Sequence, residues 1–158
     1  MKSKKKPFDE LVRLIAYLRS PNGCPWDRKQ THVSLIKYLQ EETGEVIAAL
    51  KRGRWHEIED ELGDLLLQIL LHAQIETERG RFDIQDVARS QYLKLKRRHP
   101  HVFAGMKIDT AENVLRVWDR IKRKERVLRR EDIRRRLKRS SGRAASRAAA
   151  PRAAKNRF

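Results

Sequence analysis

Between residues 55 and 78 the chain strings together Leu65-Leu66-Leu67, Ile69-Leu70-Leu71, Ala73 and Ile75. Apolar residues at that density fall on nearly every side of a helix, the pattern of a central helix surrounded by others. At ~1.5 Å per residue such a helix spans roughly 35 Å, the length of a small domain. Four further segments carry helical spacing. Residues 8–19 place Leu11, Ile15 and Leu18 on one face, and Ser20-Pro21-Asn22-Gly23 stops them. A loop with Cys24-Pro25-Trp26-Asp27 follows. Thr31 is placed to cap a second helix whose stripe of Leu35, Leu39, Val46 and Leu50 ends at Gly53.

Beyond the central helix, Asp83 is a good N-cap, with Phe82 set to staple against Val87. That fourth helix should end near Arg98, because His99 precedes Pro100 and is biased away from helical geometry. Asp109 with Glu112 gives a capping-box-like start to a fifth helix carrying Val114, Val117, Trp118 and Ile121. No persuasive strand alternation appears. The expected fold is all-α: a bundle of about five helices with a four-helix-bundle-like core.

The net charge of +17 needs dividing before it is interpreted. Residues 126–158 hold 13 Lys and Arg against two acids, and residues 1–7 hold four Lys. Residues 8–125 carry 21 basic and 19 acidic side chains and are nearly balanced. The organisation expected is a basic N-terminal extension (1–7), one domain (8–125) and a basic tail (126–158). In the tail, Leu128, Ile133 and Leu137 offer a thin apolar stripe for a helical extension, and 140–158 has the composition of a disordered segment. No apolar run of about 18 residues exists, so no membrane-spanning helix is expected. The lysine-rich start followed by Asp9 and Glu10 is unlike a secretory signal. The single Cys24 excludes an internal disulfide and fits a reducing, cytoplasmic setting.

The chemistry is carried by acids on the two most apolar helices. Glu41-Glu42-Thr43-Gly44-Glu45 lies on the second, and Glu61-Leu62-Gly63-Asp64 on the third. Glu42 and Glu45, like Glu61 and Asp64, are three residues apart, so each pair can aim two carboxylates at one point. Two carboxylates ~5 Å apart repel by roughly 3 kcal/mol at an effective dielectric near 20. Four converging carboxylates call for protons or a cation, and an all-oxygen set suits Mg²⁺, with Mn²⁺ as a substitute. The competing interpretation is a solvated acidic face paired with Lys37, Lys51 or Arg52. A di-iron centre would need two Glu-x-x-His pairs, and none of the five histidines lies three residues after a Glu. Gly44 and Gly63, each just before the last acid, suggest room for close helix approach, metal or substrate.

A carboxylate-held cation without a nucleophilic Ser or Cys points to metal-assisted hydrolysis of a phosphate ester or anhydride. Such a substrate needs cationic partners, and Lys94 and Arg98 share a face beside Lys96 and Arg97. Trp118, with Lys122 four residues on, is either core or a stacking platform for a base. Trp26, between Pro25 and Asp27, either anchors its loop or lines a pocket.

These residues together resemble the MazG family of nucleoside triphosphate pyrophosphohydrolases. The matching blocks are Gly23-Cys24-Pro25-Trp26-Asp27 leading to Gln30-Thr31; Glu41-Glu42 with Glu45; Glu61-Leu62-Gly63-Asp64; and Arg97-Arg98-His99-Pro100-His101-Val102-Phe103. The first and last are more specific than the acidic motif, which the wider all-α NTP pyrophosphatase superfamily shares. The resemblance implies a dimerising helical bundle that cleaves NTPs or dNTPs to the monophosphate and pyrophosphate with Mg²⁺. It implies metal ligation by Glu42, Glu45, Glu61 and Asp64, and nucleotide contacts from Lys94, Arg98 and Trp118. Glu41 also matches, as an orienting group or a water-activating base. Longer members carry two such domains in tandem; here there is one, followed by a basic tail that the pattern lacks. The alternatives are a relative specialised for one nucleotide, such as dUTP or phosphoribosyl-ATP, and a non-enzymatic module whose tail binds nucleic acid or another polyanion.

Overall fold

The computed structural model describes the backbone of residues 6–148 and the side chains of residues 6–131. The described residues form seven helices and no strand: α1 (Pro7–Leu18), α2 (Pro25–Lys29), α3 (Ile36–Arg52), α4 (Trp55–Glu78), α5 (Ile84–Arg98), α6 (Pro100–Phe103) and α7 (Ala111–Ala148). The five long ones are those that the periodicity predicts. The two short ones are additions, each beginning at a proline that opens a helix without needing its own N–H. The segment expected as a loop around Trp26 is therefore one turn of helix.

The chain divides at Gln91 and Tyr92 into two compact units. In the first, α3 and α4 pack along each other and α1 lies against α4. The core is Ile15, Leu35, Leu70, Leu71 and Ile75, flanked by Leu11, Val12, Tyr38, Leu66, Leu67 and Ile84. All the fully buried residues of α4 lie in its second half, from Gln68 onward. Leu62 and Ile69 are 49% and 43% exposed, so within one chain α4 is enclosed at one end only, not on every side. The second unit holds the end of α5, α6 and α7.

Local chemistry sets the boundaries. Gly53 closes α3 in a left-handed conformation (φ 71°), which glycine alone enters without cost, and its N–H bonds back to Ala49. One residue later α4 begins, so α3 and α4 form a tight helical hairpin; Arg52 and Arg54 on either side of the turn both pair with Glu57. Asp83 caps α5 as expected, its carboxylate accepting the Asp86 N–H at 2.9 Å. Thr31 instead caps the turn ahead of α3: its hydroxyl accepts the Ser34 N–H and the Ser34 hydroxyl accepts the Thr31 N–H. The cap of α7 is Thr110, whose hydroxyl accepts the Asn113 N–H at 3.3 Å, one residue beyond the expected Asp109. Helix α7 runs past Ser140 to Ala148, in keeping with the helix propensity of its Ala and Arg residues. Residues 1–5 and 149–158, parts of the two expected extensions, lie outside the described residues. No helix among those described is long and apolar enough to cross a membrane.

Candidate functional site

The hairpin brings the two acidic motifs to one height. Glu45 lies eight residues before Gly53 and Glu61 eight residues after it. At ~1.5 Å per residue, both stand roughly 12 Å from the turn. Buried Val46 and Ala49 hold α3 against α4 at this level. Glu42, Glu45 and Glu61 each present a carboxylate oxygen, and the three oxygens lie within 4.8 Å of one another.

The electrostatics record the crowding. Partial desolvation pushes the Glu42 carboxyl above its ordinary value, followed by the negative charges of Asp64, Glu45, Glu41 and Glu61. Glu61 is raised first by desolvation, then by the charge of Glu45 and a hydrogen bond shared with it. Asp64 thus acts on Glu42 through its charge without belonging to the three-oxygen cluster, and Glu41 is exposed beside Glu42 in the sequence. No ion pair among the described residues involves these five acids. Of the cations offered by the solvated-face interpretation, Arg52 is committed to Glu57 and Lys37 sits over the Tyr38 ring. An all-carboxylate set, like-charged, with Glu42 and Glu61 raised in proton affinity and no counterion among the described residues, fits a hard divalent cation. It lacks the nitrogen and sulfur ligands that zinc sites favour. A Cβ at Gly44 or Gly63 would meet nothing within 4 Å, so among the described residues these glycines do not serve a close helix approach.

The segment leading into α3 is held by residues that sequence reasoning did not single out. Gly23 packs so tightly on the end of α1 that a Cβ would lie 2.1 Å from the Tyr17 carbonyl oxygen. Arg19, 8% exposed, donates to both Glu78 carboxylate oxygens at 2.8 Å and to the Asp27 carbonyl at 2.6 Å. Its side chain therefore locks α2 to the end of α4. Trp26 is half-exposed and meets Tyr38 edge-on, ring centroids 5.6 Å apart. His32 bonds to Glu76 through Nε2 and to His72 through Nδ1, both at 2.7 Å. The His32 hydrogen bond, with those from Arg79 and Arg81, outweighs burial and holds the Glu76 carboxyl at about 2. A buried acid near the end of the apolar helix was the available sequence signal for this anchor.

In the second unit, Trp118 is half-buried, with the Arg98 guanidinium and the Lys122 ammonium each 4.9 Å from its ring centroid. Arg98 also donates to Glu125 at 2.6 and 3.0 Å, and Arg97 shares the same carboxylate. Burial pushes the Glu125 carboxyl up, but the two arginines overcome it and hold the carboxyl below its ordinary value. Lys94 lies half-buried on α5, one turn before Arg98. The structure thus brings Arg98, Trp118 and Lys122 together, and adds Glu125 as a partner that the basic run gave no reason to expect.

Comparison with known proteins adds independent findings. The family model described as the MazG nucleotide pyrophosphohydrolase domain matches residues 30–103. The chain is 44% identical over 121 residues to a nucleoside triphosphate pyrophosphohydrolase of Escherichia coli (strain K12), covering 76% of this chain and 46% of that protein. It is 50% identical over 119 residues to the nucleoside triphosphate pyrophosphohydrolase/pyrophosphatase MazG of Thermotoga maritima, covering 75% and 45%. The chain therefore spans less than half the length of these curated relatives. Among solved structures, a mazG-related protein from Thermotoga maritima superposes with a TM-score of 0.58 at 28% identity, covering 73% of this chain and 98% of that one.

Proposed function

The chain belongs to the MazG family, and from that premise we propose that it hydrolyses nucleoside triphosphates, ribo or deoxy, to the monophosphate and pyrophosphate. The observation that carries the reading is the set of carboxylates from two helices, level with each other and without a counterion among the described residues. Glu42, Glu45 and Glu61, joined by Asp64, would hold Mg²⁺ or Mn²⁺, which when bound polarises phosphoryl oxygens and offsets the charge of the triphosphate.

The chain's own residues supply the rest. Glu41, exposed beside Glu42, orients the ligand set or accepts a proton from the attacking water. Lys94 contacts phosphate as a compact point charge and Arg98 as a planar fork. Trp118 offers its ring to base or sugar; because every base has a stackable face, base selectivity should be loose. Lys122 beside that ring adds positive charge for the phosphates. Trp26, held by Tyr38, lines the approach to the site. The active form is a homodimer, a reading supported by Ile47, Leu50 and Leu62, large apolar side chains left about half-exposed on α3 and α4.

The test is a panel of NTPs and dNTPs with Mg²⁺, with products resolved by chromatography. Monophosphate and pyrophosphate in equal amounts are expected. Orthophosphate as the primary product, or undiminished turnover in Glu42→Ala and Asp64→Ala, would overturn the assignment. Turnover confined to one nucleotide would identify a specialised relative.

A further inference from the structure

Helix α7 continues well past the side chains that pack in the second unit. From residue 126 to 148 it carries ten basic side chains, nine of them Arg, against Glu131 and Asp132. Arg126, Arg129 and Arg130 are exposed, and no ion pair among the described residues neutralises them. The sequence repeats the charge at one-turn spacing in two rows, Arg126, Arg130, Arg134 and Lys138, then Arg135, Arg139, Arg143 and Arg147. Like charges four residues apart destabilise a helix, so a bound polyanion would relieve that repulsion and stabilise this one. The family match at residues 30–103 does not extend to it.

The partner follows from what this helix lacks. Val127 and Leu128 are 56% and 61% exposed, and the thin stripe expected of Leu128, Ile133 and Leu137 fails at its first step, because the five residues from Leu128 to Ile133 turn the helix by roughly 140° and put Leu128 off the face of the other two. Binding to a lipid surface or into a partner helix's groove needs such a stripe. A single mononucleotide is too small for a basic segment of roughly 35 Å at ~1.5 Å per residue. An extended polyanion matches that length, and duplex nucleic acid presents about one negative charge per 1.7 Å of axis. Arginine over lysine favours phosphate oxygens, which its fork meets two at a time. We propose that residues 126–148 of α7 form a nucleic-acid-binding surface that recognises the phosphodiester backbone without reading sequence.

Fluorescence anisotropy of the full chain with labelled 20-mers, as duplex DNA, duplex RNA and single-stranded DNA, tests this. Binding to at least one is expected, indifferent to base sequence; the order of affinities identifies the source of the phosphates. Affinity should fall about 100-fold between 50 and 200 mM salt, as roughly four neutralised phosphates give. Replacing Arg129, Arg130, Arg134, Arg135 and Arg136 with Gln should abolish most of the binding. Glutamine keeps helix propensity, and triphosphate hydrolysis should be unchanged. The matching five-Lys variant should keep binding, which separates charge from folding. No binding at 50 mM salt, equal binding by the Gln variant, equal competition by poly-glutamate, or binding to anionic vesicles in place of nucleic acid would overturn the proposal.

Discussion

Glu42 and Glu76 are both carboxylates on or beside α4, and their surroundings push them in opposite directions. For Glu42 the folded pKa is raised, so its ionised form weighs against the fold at neutral pH, and that burden lifts as pH falls toward the ordinary value of 4.5. In chelator at pH 7, Glu42→Gln should therefore unfold at the same or a higher urea concentration than the parent, while losing more activity than the 10–100-fold typical of groups that merely support a metal ligand. Mg²⁺ at a hundred times its dissociation constant should stabilise the parent by about 2.7 kcal/mol and the variant by much less. For Glu76 the folded pKa is depressed to about 2 from 4.5, so its contribution is complete above pH 4.5 and is lost as pH falls from 4.5 toward 2. Urea melts across that window should show a smaller acid loss for Glu76→Gln, which should also be less stable than the parent at pH 7.

At the scale of elements, three glycines in the matching motifs separate structural from functional demand. Gly44 and Gly63 sit inside α3 and α4 facing open space, and alanine there should stabilise each helix by ~1 kcal/mol. Gly23→Ala should instead destabilise by about 1–3 kcal/mol, because the new Cβ would lie 2.1 and 2.3 Å from the carbonyl oxygens of Tyr17 and Leu18. Urea midpoints check both. Activity lost in Gly44→Ala or Gly63→Ala despite a firmer fold assigns the open space to substrate or a second copy. Much of this was legible in the sequence. The bounds of α4, the stop at Gly53 and the cap at Asp83 follow from periodicity and capping chemistry, and so does the pairing of acids on each helix. The level register of Glu45 and Glu61 was also available, since the turn lies midway between them. Helices α2 and α6 were not, because one turn carries no period. The claims of Glu125 on Arg98 and of Glu78 on Arg19 are partnerships across 27 and 59 residues that no local pattern announces.

For the whole molecule, charge and apolar exposure describe different tasks. The region from 8 to 125 is nearly neutral and leaves Ile47, Leu50 and Leu62 uncovered on α3 and α4, whereas the basic excess lies outside it. Sedimentation should give twice the 18.7 kDa chain mass at moderate salt, with Leu62→Asp shifting the population toward the single chain. Persistence of the dimer at high salt would mark it as apolar in origin, since screening weakens only the ionic part. The uneven burial of α4 also has a kinetic consequence. Residues 68–76 carry Leu70, Leu71, Ala73 and Ile75 in the core, while no residue from 55 to 64 is buried. Backbone amides of the second half should exchange with deuterium only through global unfolding, and those of the first half through local opening. Divalent cation should slow the first set and leave the second almost untouched. One helix by geometry would then be two by exchange rate, its loose end stiffened only when the cation is present.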